Sequence, residues 1–217
     1  FRSAADLCDQ FDALVFNHNE AVLYEWIERY DPPLFARIQG LVRAGRWHIM
    51  GGWYLQPDCN MPCGEALVRQ ITLGRRYFAD RFGVRPTVAM NFDSFGHSRG
   101  LVQIMARSGY KGYLFSRSGD RPLPAPVFRW RGADGSEIVG VHCLGMYNSR
   151  LGRAREKVEQ QLDEAPEDGL PARVVLWGVG NHGGGPSRKD CADLDALIRE
   201  RGDMEIRHST PEAFMEA

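Results

Sequence analysis

Pro-Thr-Val-Ala-Met-Asn-Phe-Asp-Ser-Phe-Gly-His-Ser-Arg-Gly, residues 86–100, is the stretch on which the reading of the fold turns. Residues 87–90 are β-branched and apolar, opened by Pro86 and closed by polar and glycine residues, the pattern of a short strand buried on both faces. Asp93 stands just past the end of that strand, ahead of a helix expected to begin near Leu101. In folds built on parallel strands, catalytic groups collect at this place, the C-terminal mouth of the sheet. Asp and Ser are also ordinary turn formers, so spacing alone equally allows Asp93 to be a turn cap.

The same arrangement recurs outward on both sides. Upstream, residues 13–17 (Ala-Leu-Val-Phe-Asn) form an apolar run that ends in His18, Asn19 and Glu20, and residues 47–54 form a second strand that exits through Leu-Gln-Pro-Asp58-Cys-Asn60. Downstream, residues 111–116 lead to Arg117. Residues 127–131 and 137–142, joined through Ala-Asp-Gly, read as a hairpin whose second arm runs on to His142 and Tyr147. Residues 172–177 make the last strong strand, emptying into the glycine-rich segment 178–185, and residues 204–207 make a short closing one.

Helical spacing fills the intervals. Leu23, Trp26, Ile27 and Tyr30 recur at three and four; Pro32 and Pro33 break the run, and Leu34, Ile38, Leu41 and Val42 resume it. Residues 65–82 form the best helix, with Leu67, Ile71 and Phe78 on one face and Gly83 as its stop. Further helices are expected over 101–108, 152–164 and 190–199. Strand–helix alternation with short crossovers predicts one α/β domain over residues 1–217, a parallel sheet covered by helices. A closed or nearly closed barrel is favoured over an open sheet, because polar residues leave five successive strand ends rather than one switch point.

Composition narrows the function. The 217 residues carry 27 basic and 28 acidic side chains for a net charge of −1, with no basic block longer than a pair, so neither nucleic acid nor an anionic membrane has an electrostatic footprint. With 43% apolar and 25% charged residues the balance is that of an ordinary globular domain. The five scattered cysteines argue against a disulfide framework, and no apolar run approaches the roughly 20 residues that span a bilayer. A cytoplasmic setting is the expectation, though the first residue, Phe1, is compatible with an excised piece.

Collected at one mouth, His18, Asn19, Asp58, Asn60, Asp93, Arg117, His142, Tyr147, Asn181 and His182 would suit a polyol such as a sugar, whose hydroxyls need many hydrogen-bond partners. Trp53, Tyr54 and Phe95 lie near the same mouth and could stack on a sugar face, although such aromatics more often belong to the core. The glycine-rich segment lacks the lysine of a phosphate-binding loop; its glycines let Asn181 and His182 approach a ligand, or let the chain turn. No local metal motif stands in the sequence, and Asp93 and His97, four apart across a turn-like Ser-Phe-Gly, need not face one point.

Four stretches together resemble the catalytic domain of glycoside hydrolase family 38, the α-mannosidases: residues 45–60 (Gly-Arg-Trp-His-Ile-Met-Gly-Gly-Trp-Tyr-Leu-Gln-Pro-Asp-Cys-Asn), Gly-Glu-Ala-Leu-Val-Arg-Gln from Gly64, Asp-Ser-Phe-Gly-His-Ser from Asp93, and Gly-Tyr-Lys-Gly-Tyr-Leu-Phe-Ser-Arg ending at Arg117. The resemblance implies a (β/α)7-type barrel, here incomplete at the N-terminal strand. It also implies a zinc ion that touches sugar hydroxyls, a mannose-containing oligosaccharide as substrate, and retaining hydrolysis through a covalent mannosyl-enzyme intermediate. Downstream helical and β-sandwich domains would follow in the full-length protein. Carried over by position, Asp93 matches the nucleophile that is also a zinc ligand, and Arg117 matches the arginine beside that carboxylate. Asp58 matches the acidic position after the Gly-Gly-Trp strand, Tyr147 falls near a substrate-contacting tyrosine, and Trp53 belongs to the same mouth.

Three departures bear on activity. The His-x-Asp pair of zinc ligands on the family's first strand would lie upstream of Phe1, and a further histidine ligand beyond Ala217, which leaves one zinc ligand of four within the chain. The acid/base aspartate expected on the late loop is replaced by Asn181-His182; Asn181 exchanges no proton, whereas His182 could act as acid/base, or could bind metal or substrate. Rival readings are a sugar-binding relic without turnover and another metal-dependent carbohydrate hydrolase such as a deacetylase.

Overall fold

A computed structural model describes residues 1–117, 123, 125–165, 169–180 and 184–217. The chain opens with helix α1 (Arg2–Gln10), which turns Ala4, Ala5, Leu7 and Cys8 inward. Strand β1 (Phe16–His18) follows, then α2 (Ala21–Tyr30) and α3 (Pro32–Arg43). The break between the two helices falls where Pro32 removes a backbone donor, and the Asp31 carboxylate caps the second helix by accepting from Leu34 N at 3.3 Å.

Strand β2 (Trp47–Ile49) is shorter than the expected 47–54, because Gly51 and Gly52 take φ of 70° and 78° and turn the chain. A Cβ at Gly51 would lie 2.9 Å from Asn19 Cγ and from Met90 Cγ, so this corner is packed too closely for any side chain. Helix α4 (Gly64–Phe82) ends at Gly83 in the left-handed conformation, as its sequence announces. Then come β3 (Val88–Asn91), α5 (Gly100–Arg107), β4 (Gly112–Phe115), and the hairpin β5 (Val127–Arg131) and β6 (Glu137–His142). Helices α6 (Ala154–Asp163), α7 (Arg188–Glu200) and α8 (Pro211–Glu216) complete the described elements.

Among the described residues the strands lie in two sheets. β1 and β2 pair in parallel; β3, β4 and β6 are parallel neighbours, with β5 antiparallel on the outer edge of β6. The parallel α/β expectation therefore holds, but closure into a barrel is not shown. Side chains bridge the seam between β2 and β3 instead of a ladder. At the mouth, Trp53 Nε1 donates to Met90 O at 2.7 Å and Asn19 Oδ1 accepts from Trp53 N at 3.2 Å. Toward the other end, Glu212 on α8 holds His48 Nε2 at 2.8 Å with one oxygen and accepts from Thr87 N and Val88 N, at 3.0 and 3.2 Å, with the other.

Two expected strands are corrected: among the described residues neither 172–177 nor 204–207 forms one. The edge of β6 that the first run would extend is already taken by β5. Its alternation is satisfied by packing alone, with Val174 and Leu176 against the main sheet cluster and Val175 and Trp177 against the layer of α6 and α7. A single bridge, Ser149 to Val179, marks the end of the run.

Candidate active site

Register decides which strand exits meet. β3 and β4 pair in parallel with Asn91 opposite Phe115, so Asp93 and Arg117, each two residues beyond that pair, are neighbours at the mouth. Arg117 Nε donates to Asp93 Oδ1 at 2.5 Å, with the two side chains 42% and 36% exposed. The Tyr147 hydroxyl stands close to Asp93; burial first, and then the charge and proximity of the Asp93 carboxylate, raise the tyrosine pKa. Its ring lies nearly parallel to that of Phe92, centroids 6.3 Å apart. Phe95, 76% exposed, lies under the Arg117 guanidinium at 4.9 Å. The carboxylate thus faces a cation and a phenol at the mouth.

Tyr147 is held from behind. Lys157 of α6 donates to the carbonyl of Met146, to Asn148 O at 3.0 Å and to Leu176 O at 2.6 Å, clamping the chain on both sides of the tyrosine. Burial pushes the Lys157 pKa down to about 8.

The floor beneath Asp93 is a stitched pair of loops. Ser94 Oγ accepts from Cys59 N at 3.1 Å, Ser98 N donates to Cys59 O at 3.4 Å, and Cys59 and His97 form a parallel bridge. Asn91, fully buried, donates to Pro57 O and to Cys59 Sγ. His97 Nε2 lies 2.7 Å from Arg117 O and its Nδ1 lies 3.0 Å from the Tyr113 hydroxyl. Burial lowers the His97 pKa, against the opposing pull of the Arg117 carbonyl and the Asp58 charge.

The remaining sequence candidates divide. Asp58 reaches this loop pair, where its Oδ1 accepts from Asn60 N at 2.8 Å and Met61 N at 3.1 Å and so closes its own turn. Trp53 is fully buried, its indole N–H engaged by Met90 O, so its ring presents no face to the mouth; Phe95 is the exposed aromatic there. His18 is also corrected: it packs inside against Phe1, Phe16 and Tyr24, and burial lowers its pKa to about 4. Asn19 serves the seam, and His142 turns to Ser116 O at 2.8 Å. Tyr54 binds Glu25 at 3.0 Å. Asn181 and His182 lie outside the described residues.

Sequence reasoning missed Lys157, which carries no motif, and Tyr113, which lies within the stretch ending at Arg117 but was given no role there. It met His97 only as a possible partner for a metal at Asp93, whereas both ring nitrogens are engaged elsewhere. Among the described residues no three His, Cys, Asp or Glu side chains converge as a metal site would require, so these residues alone do not fit a zinc ion. All five cysteines are free thiols, and no described helix is long and apolar enough to cross a membrane.

Comparison with known proteins matches the family model described as the glycosyl hydrolases family 38 N-terminal domain over residues 1–217. Alpha-mannosidase G of Dictyostelium discoideum is 30% identical over 211 residues, covering 95% of this chain and 19% of that protein. Alpha-mannosidase 2C1 of Mus musculus is 29% identical over 212 residues, covering 96% and 20% respectively. The chain thus spans about a fifth of the length of these relatives. Among solved structures, an alpha-mannosidase from Enterococcus faecalis V583 superimposes with a TM-score of 0.82 at 19% identity, over 98% of this chain and 25% of the other, which shows a shared fold.

Proposed function

Because the chain belongs to glycosyl hydrolase family 38, we propose that it is part of the catalytic domain of a retaining α-mannosidase, with Asp93 as nucleophile. The observation that carries this reading is the pairing of Asp93 with Arg117 at 2.5 Å, seconded by the Tyr147 hydroxyl, at the mouth of adjacent parallel strands. A retaining glycosidase needs a carboxylate positioned at the mouth to attack the anomeric carbon, and the Arg117 contact holds the Asp93 side chain there.

In the first displacement an Asp93 oxygen bonds to the anomeric carbon as the glycosidic C–O bond breaks, and the departing oxygen takes a proton from the acid group. In the second, water attacks the same carbon, gives its proton to that group and releases Asp93, restoring the starting configuration. His182 is the candidate acid/base. Asp58, Tyr147 and Asn181 are assigned to sugar hydroxyls, and Phe95, rather than Trp53, offers a ring for stacking.

Asp93 is the residue of this chain through which zinc would be held. The described residues complete no site for the ion, so no step is routed through it. The proposed partner is an α-linked mannose-containing glycan.

The test is turnover of 4-nitrophenyl α-mannoside by the full-length protein supplied with zinc. Asp93→Asn is expected to lower kcat/KM by about 10³-fold or more, the scale of losing a covalent nucleophile. Hydrolysis surviving in Asp93→Asn to within about tenfold would assign the nucleophile elsewhere, and a wild-type protein that binds mannosides without cleaving them would support the sugar-binding relic instead.

A further inference from the structure

Arg117 is the only arginine paired with Asp93 among the described residues, yet its backbone stands just past the end of β4, where no ladder continues to fix it. His142 holds the preceding carbonyl, Ser116 O, at 2.8 Å, and the Arg117 carbonyl itself is held by His97. Arg117 O can only accept, so His97 Nε2 carries the ring proton and donates to it at 2.7 Å. In the neutral ring Nδ1 is then an acceptor, and it receives the Tyr113 hydroxyl proton at 3.0 Å. Tyr113 is wholly buried, and its oxygen also lies 3.6 Å from Cys59 Sγ, which in turn accepts from Asn91. The imidazole is wedged among Tyr113, Phe115 and Trp130, ring centroids 5.6, 5.0 and 6.4 Å away. Both nitrogens are occupied and the ring cannot rotate without breaking both bonds.

From this we infer that His97 is a positioning residue: locked as the Nε2–H tautomer by Tyr113, it fixes the Arg117 backbone so that the guanidinium meets Asp93 with Phe95 beneath it. The inference rests on the assignment of Asp93 as nucleophile. His97 touches neither substrate nor reacting atoms; its effect passes through one carbonyl. A chain of buried groups from β3 and β4 thereby sets the aim of a side chain at the rim.

The test uses kcat and KM on 4-nitrophenyl α-mannoside for His97→Phe, which fills the space without a donor, and His97→Gln, which keeps an N–H near the Nε2 position. His97→Phe is expected to lower kcat on the order of 10- to 100-fold with KM within about 3-fold, and His97→Gln to recover to within about 5-fold of wild type. On an Arg117→Ala background, His97→Phe should cost less than about 2-fold more, because the two changes remove one interaction. Equal losses in Phe and Gln variants, or losses that multiply with Arg117→Ala, would overturn the inference and leave His97 a packing residue. If the wild-type protein turns over no mannoside, the functional reading fails by itself. The positioning claim is then decided by the crystal structure of His97→Phe, in which Arg117 Nε leaves Asp93 if the inference holds and stays within hydrogen-bond distance if it does not.

Discussion

At the scale of single residues, Trp53 and Asp93 show how similar sequence positions acquire opposite roles. Both follow a strand, and both were candidates for the mouth. Asp93 is reached by a cation from the next strand, whereas Trp53 folds back over the seam, where its N–H satisfies Met90 O. Trp53→Phe leaves that buried carbonyl without a donor and should destabilise the fold by about 1–3 kcal/mol in denaturant unfolding. KM for a mannoside should stay within about 2-fold, whereas a ring that stacked on substrate would give up the 1–3 kcal/mol typical of an aromatic contact and raise KM about 5-fold or more.

Which residues were legible follows from the same physics. The neighbouring of Asp93 and Arg117 could be read from the sequence because a parallel register carries equal offsets beyond paired strand ends to the same place. The burial of His18 and Trp53 could not, since an aromatic at a strand exit carries no signal of whether it turns inward or out. His97 was hidden differently: its motif was visible, but its partners, Tyr113 and the Arg117 carbonyl, belong to another element.

At the scale of elements, the fold is held at a seam that its strands do not close. Glu212 on α8 joins His48 of β2 to the amides of Thr87 and Val88 at the entry to β3, so a six-residue helix ties the two sheets. Burial pushes the Glu212 carboxyl up, and the His48 and backbone bonds outweigh it, leaving its pKa below the usual 4.5. A folded-state pKa below the unfolded one means stability that is present above the unfolded value and lost as pH falls through the folded one. Glu212→Gln should therefore cost about 1.5–3 kcal/mol at neutral pH, the range for hydrogen bonds to a charged group, and flatten the decline of stability below about pH 4.5. Chemical unfolding at pH 7 and pH 4 measures both; a variant as acid-sensitive as the wild type would remove Glu212 from this role.

Elements also show why segments 172–177 and 2–10 escaped or misled the reading. Alternating apolar residues look alike whether a ladder or mere packing buries them, and here β5 had already claimed the edge of β6. Helix α1 places Ala4, Ala5, Leu7 and Cys8 on one face, a short pattern diluted by the polar residues between them.

For the whole molecule, the parallel α/β layering, the position of the mouth and the family were readable from the sequence, because strand–helix alternation and the stretch around Asp93 are strong local signals. Closure of the barrel was not, and the described strands stand as two sheets bridged by side chains. The family model spans the full chain, while the chain spans about a fifth of the length of its relatives.

The central claim, that Asp93 attacks the anomeric carbon, is tested most directly by trapping. A fluorinated α-mannosyl fluoride, which slows release from the enzyme, is incubated with the full-length protein, and the digested product is mapped by mass spectrometry. The mannosyl adduct should reside on Asp93, form in the Arg117→Ala variant far more slowly, and disappear in Asp93→Asn. A stable adduct on another carboxylate, or turnover of an α-mannoside to the inverted β-anomer with no adduct, would contradict the account.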